Sequence, residues 1–118
     1  MLKIKGLSKQ EKDAIEEVKN RLVKKYGDRL LLLKLYGSKA RGEAHKNSDI
    51  DILAIVDKDM WEMKDKIFDE TFEVMGKYNH KFLISILVMD EKEYNLNKEA
   101  ETCLYENIVK DGIDLWKK

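Results

Sequence analysis

Cysteine is nearly absent. Cys103 stands alone in 118 residues, which excludes an internal disulfide framework and a thiolate-cluster zinc site. A lone thiol of this kind is expected to be a small buried hydrophobe. Proline is missing altogether, and no linker, internal repeat or low-complexity tract interrupts the chain. Long apolar runs are missing too: nothing approaches 18 uncharged residues, and the opening MLKIKGLSKQ has neither the apolar core nor the cleavage site of a signal peptide. The expectation is a cytoplasmic protein without a membrane segment. Net charge is also lacking, because Lys plus Arg and Asp plus Glu each number 23. That removes any global electrostatic case for binding nucleic acid, and no basic stretch interleaved with aromatics offers a stacking surface.

What is present suits one globular domain spanning 1–118. Apolar residues make up 43% and charged residues 39%, enough for a core beneath a heavily solvated surface, so disorder is excluded. Charge sign is segregated: residues 1–46 carry 13 basic and 6 acidic side chains, and the remainder carries 10 basic and 17 acidic. Two readings are open, solvated faces that happen to fall this way or a polyanion pocket facing metal-binding acids.

Ser8-Lys-Gln-Glu11 has capping-box form, and Ala14, Ile15, Val18, Leu22, Val23 and Tyr26 recur at helical spacing, which predicts a helix over 9–26. Leu30 to Tyr36 predicts a buried strand and Gly37 to Ser48 a polar loop. A second strand runs from Asp49 to Val56, with Asp49, Asp51, Leu53 and Ile55 on one face. Asp59-Met-Trp-Glu62 resembles another capping box, and Trp61, Met63, Ile67, Phe68, Phe72, Met75 and Tyr78 predict an amphipathic helix over 60–78 whose apolar face is core. Phe82 to Met89, apolar on both faces except at Ser85, predicts a central strand. A last helix is expected over about 98–111, with Ala100, Cys103, Leu104, Ile108 and Val109 inward. The fold class is therefore α/β (α+β): a small mixed sheet with flanking helices, packed mainly on one face.

The chemistry is concentrated in Tyr36-Gly-Ser-Lys-Ala-Arg-Gly-Glu-Ala-His-Lys-Asn-Ser-Asp-Ile-Asp51, which fits G-S-x10-D-x-D. A chance match in a chain of this length has odds on the order of one in a thousand at ordinary residue frequencies. Gly37 lets backbone approach a ligand, Ser38 adds a hydroxyl, and a helical turn over Lys39 to Arg41 would aim free N–H groups at a phosphate. Arg41 could clamp that phosphate bidentately, and Ser48 adds a polar group beside the acids. Asp49 and Asp51 lie about 7 Å apart on one strand face. Two hard carboxylates with no His or Cys beside them favour Mg²⁺ or Mn²⁺. Asp51, set within an apolar strand, must be stabilised by a partner or a metal. Neither a Walker A loop nor a dinucleotide fingerprint is present.

Leu35 to Asp57 resembles the active-site signature of the DNA polymerase beta-like nucleotidyltransferase superfamily, and the chain's length resembles its minimal branch. The resemblance implies that Gly37 and Ser38 hold a nucleotide triphosphate and that Asp49 and Asp51 bind two Mg²⁺ ions. It makes the expected activity transfer of AMP from ATP to a hydroxyl; Arg41 and Ser48, from the loop's own chemistry, are the further candidate nucleotide contacts. Small members act as antitoxins that attach AMP to a tyrosine of a HEPN-domain toxin, so the resemblance implies such a partner and leaves a dimer open as the assembly. One departure stands out. The family commonly carries a third carboxylate on the next core strand, and Lys81 to Met89 has no acid. Asp90 follows directly but reads better as a helix cap before Glu91-Lys-Glu93. The alternative reading is a non-catalytic nucleotide- or protein-binding module.

Overall fold

The computed structural model describes residues 6–42 and 49–118. Helix α1, Lys9–Tyr26, opens on the expected capping box: the Ser8 N–H donates to Glu11 Oε1 at 2.9 Å and the Glu11 N–H to Ser8 Oγ at 3.1 Å. It is followed by strand β1 (Leu30–Tyr36), the short helix α2 (Gly37–Arg41), strand β2 (Ile50–Val56), helix α3 (Met60–Lys77) and strand β3 (Ile84–Asp90). Helices α4 (Glu91–Glu99) and α5 (Cys103–Asp111) and strand β4 (Ile113–Lys117) complete the order.

The four strands form one mixed sheet in the order β3-β2-β1-β4, antiparallel except for β2 beside β3. One face carries Leu33, Leu35, Ile50, Ile52, Ala54, Val56, Ile84, Ile86 and Val88, and it is closed by Ala14, Ile15, Val18 and Leu22 of α1 with Met63, Ile67 and Val74 of α3. The other face holds a smaller apolar group, Leu53, Ile55, Met89 and Ile108, with Tyr36, Leu87, Tyr94 and Leu104 around it. Asp51 projects from this second face. Helices therefore cover both sides, the two long ones on the first and the short α4 and α5 on part of the second.

Several expectations are corrected. β3 is an edge strand, not a central one. Its side chains are apolar because α3 lies under one face and α4 under the other, whereas an edge is a property of backbone pairing that side-chain composition does not report. The single helix expected over 98–111 is two: α4 begins at the Asp90 cap, the chain breaks where Glu101 adopts φ 51°, and Thr102 caps α5 by accepting the Tyr105 N–H at 3.1 Å. Ala100, Cys103 and Val109 consequently face solvent rather than the core. Trp61 (75% exposed), Phe68 and Phe72 (62%) of α3 are also outside. Asp59 does not cap α3 with its side chain and has φ 55°; Arg29 holds the helix start instead, reaching Asp59 and Glu62 through its Nη atoms. Among the described residues no helix is long and apolar enough to cross a membrane.

Candidate active site

β1 delivers the chain to Tyr36, and Gly37 turns it into α2. Gly37 has φ 77°, a conformation L side chains rarely adopt, and a methyl group at its Cα would lie 2.6 Å from Asp51 Oδ2. Two independent constraints therefore select glycine here, backbone conformation and contact with a carboxylate. Tyr36 pairs directly with Asp51 across the antiparallel ladder, so the glycine-serine turn and the second aspartate are brought together by strand register. No side chain caps the start of α2, which leaves the first amides of that turn without a side-chain acceptor from the cap position. Gly42 closes the helix in the left-handed region at φ 74°. Ser48 lies outside the described residues, as does His45.

Asp49 is exposed at the entrance to β2, and Asp51 is half-buried one residue inside it. Burial, and then the charge of Asp49, push the Asp51 carboxyl above its ordinary range. Burial and the Asp51 charge likewise raise the Tyr36 phenol. Among the described residues no cation pairs with either aspartate, and no third His, Cys, Asp or Glu joins them in a metal-binding group. Two repelling hard-oxygen donors, one of them desolvated, fit a divalent cation, which would relieve both penalties at once.

Arg41 belongs to the same turn, but its Nη1 sits 3.0 Å from Asp111 Oδ2 at the end of α5. Lys39, between Ser38 and Ala40, is 1% exposed, and its Nζ lies 2.7 Å from Glu11 Oε2. Glu11 and Asp111 were not marked by sequence reasoning as belonging near the site. Glu11 shows in sequence only as a capping-box residue, and nothing in the pattern marks its second oxygen as taken by α2.

The register of β3 locates the missing acid. Ser85 stands beside Asp51 in the parallel ladder, while Asp90 stands beside Val56. Asp90 lies five strand positions beyond Ser85, about 16 Å. Asp90 also has other work: its Oδ1 accepts the Glu93 N–H at 2.8 Å and caps α4. Next to Ser85, on the open side of β3, runs an apolar groove of 440 Å³ lined mainly by Phe68, Phe72, Met75 and Leu83.

A turn of glycine and serine packed on a D-x-D strand is accompanied by a family match: residues 16–118 fit the model of polymerase beta nucleotidyltransferases. The chain belongs to that family. It is a nucleotidyltransferase, and the mixed sheet with flanking helices is that family's fold. A protein of Methanocaldococcus jannaschii, assigned by inference as a protein adenylyltransferase, is 33% identical over 106 residues, covering 90% of this chain and 98% of that one. A toxin-antitoxin structure with AMP-PNP is 25% identical, with a TM-score of 0.50, over 87% of this chain and 73% of that one. The spectinomycin adenyltransferase of Enterococcus faecialis, solved with ATP and spectinomycin, has a TM-score of 0.67 at 15% identity, over 91% of this chain. The chain spans 56% of that enzyme's length, and the likeness there is one of fold.

Proposed function

We propose that this nucleotidyltransferase moves AMP from ATP to a hydroxyl on a partner protein, using Mg²⁺ held by Asp49 and Asp51. The observation that carries the reading is the contact of Gly37 with the Asp51 carboxylate, which puts a close-approach backbone turn against the acids that suit metal. Gly37 and Ser38 bind the triphosphate, and Ser48 is a further nucleotide contact. Arg41, on the same short helix and paired with Asp111, is the further phosphate contact in this reading. The acceptor oxygen attacks the α-phosphorus, the bond to the bridging oxygen of the β-phosphate breaks, pyrophosphate leaves and the hydroxyl proton passes to solvent water. Mg²⁺, two ions in this reading, would neutralise charge that develops on the phosphates. What the chain itself supplies is orientation of the nucleotide and a fixed place for the acids.

A tyrosine of a HEPN-domain toxin is the acceptor we favour, with the protein acting as its antitoxin in the cytoplasm. Support comes from the protein adenylyltransferase assignment of the M. jannaschii relative and from the nucleotide-bound toxin-antitoxin neighbour. Co-expression with a neighbouring helical open reading frame should give a complex and a mass increase of one or more AMP units on that product. In the double variant Asp49→Asn, Asp51→Asn, labelling of the acceptor from α-labelled ATP should vanish in a folded protein; retained labelling would sink the proposal. Ser85, standing where a third acid would flank Asp51, favours a second reading, a module that binds nucleotide without turning it over. Calorimetry showing Mg²⁺-ATP binding with no transfer to any co-expressed partner would select it.

A further inference from the structure

Helix α2 is five residues long, far too short to hold its own shape in water. Strand register brings its start to Asp51, and the direction α2 takes from there depends on what the rest of it grips. One grip is the Arg41 to Asp111 pair, at the surface on the arginine side. Another is internal: the Lys39 ammonium, almost fully buried, meets Glu11 Oε2 at 2.7 Å. The remaining oxygen of Glu11 accepts the Ser8 N–H, so the carboxylate is shared between the first turn of α1 and α2. Burial opposes charge on Glu11, but the bonds from Lys39 and Ser8 outweigh it and hold the carboxyl below its usual range. A buried ion pair adds little stability over apolar side chains of the same volume, yet it fixes direction and distance better than they do.

We propose that Glu11 and Lys39 are positioning residues for nucleotide transfer: with the β1–β2 register bringing the turn to Asp51, the capping box of α1 fixes the orientation of Gly37 and Ser38 there. The inference rests on the nucleotide reading above, through the role of those two residues. It makes the first turn of α1, remote from the D-x-D strand in sequence, a determinant of affinity for ATP.

Glu11→Gln tests the effect, because the glutamine oxygen keeps the capping box with Ser8 while its NH2, a donor without charge, replaces the carboxylate oxygen that meets Lys39. In the full-length variant, hydrogen exchange at the α2 amides should speed up about tenfold while those of α3 are unchanged. The KM for Mg²⁺-ATP should rise about tenfold with kcat within about threefold of wild type, the mark of lost ground-state binding. Val18→Ala, a buried change seven residues further along the same helix that leaves the Glu11 to Lys39 pair intact, supplies a control loss of melting temperature and should move neither quantity. If Glu11→Gln does not fold, the double variant Glu11→Gln, Lys39→Met leaves no unpaired buried charge and is read the same way. Unchanged α2 exchange and KM in a folded variant, or equal changes in Val18→Ala, would overturn the inference. A wild-type protein that neither binds nor turns over Mg²⁺-ATP would overturn the nucleotide reading instead, and the exchange data would still decide whether Glu11 places α2.

Discussion

At the scale of single residues, Gly37 concentrates the constraints of the site. Gly37→Ala imposes a left-handed conformation on a residue with a Cβ, worth about 1 kcal/mol, and drives a methyl group against Asp51 Oδ2 at 2.6 Å. The carboxylate must give way, and a displacement of an ångström at a reacting centre can cost about a hundredfold in rate. Transfer should therefore fall by about that factor while stability, read from a denaturant midpoint, drops by only about 1–2 kcal/mol. A variant with normal turnover would mean that Asp51 is not where the chemistry happens. The glycine, the serine and both aspartates stand out in the sequence as candidates because backbone approach, anion contact and hard-metal ligation would each restrict residue type, and the structure brings Gly37 close to Asp51. Lys39 and Glu11 do not stand out. A charged residue buried through a partner 28 positions away in sequence looks, in one dimension, like any other surface lysine.

At the scale of elements, periodicity located helices and strands well and assigned their surroundings poorly. α1, β1, β2 and α3 fall where the hydrophobic period places them, because each lies on the large core and its pattern reports that contact. α3 shows the limit. Its apolar arc is wider than the stripe that α1 and the sheet cover, so Met63, Ile67 and Val74 are buried while Trp61 and Phe72 are not. Period alone does not say which part of a wide arc meets a partner. The C-terminal helix was misplaced for a different reason: local cap chemistry at Asp90 and Thr102 divides a stretch that apolar spacing alone joins. Asp90 then yields a clear expectation. Asp90→Ala should lower stability by about 1 kcal/mol through loss of the α4 cap and leave transfer within a few-fold of wild type, since register sets the residue five strand positions beyond Ser85. A hundredfold loss of turnover in folded protein would make it a catalytic carboxylate after all.

Across the whole molecule, the segregation of charge along the chain is resolved by pairing between elements. Basic residues of α1 meet acids of α3: Lys25 reaches Glu70 at 2.6 Å, and Arg21 reaches Glu73 at 2.8 Å and Glu70 at 3.4 Å. Lys77 of α3 returns to Glu17 of α1 at 2.9 Å. Sequence showed the imbalance but not its destination, because the pairs span about fifty positions. These partners and the site aspartate act in opposite directions on stability as pH changes. The Lys25 hydrogen bond holds the Glu70 carboxyl below its ordinary range, and Glu11 and Asp57, although burial opposes them, are lowered by their own partners. Such groups stabilise fully above the unfolded carboxylate range, near pH 4, and lose that contribution as pH falls through their lower native values. Asp51 is raised, so its ionised form is the destabilising one: that penalty is complete above its native value and disappears as pH falls towards the unfolded one. The melting temperature should therefore rise slightly on acidification from neutrality, as Asp51 takes up its proton, and fall once the pH drops below about 4. Asp51→Asn should melt higher than wild type at neutral pH, with the difference shrinking through the mildly acidic range, and saturating Mg²⁺ should raise wild type but not the variant. A variant less stable than wild type at pH 7 would show instead that the Asp51 charge is compensated inside the fold, removing the electrostatic demand for a metal.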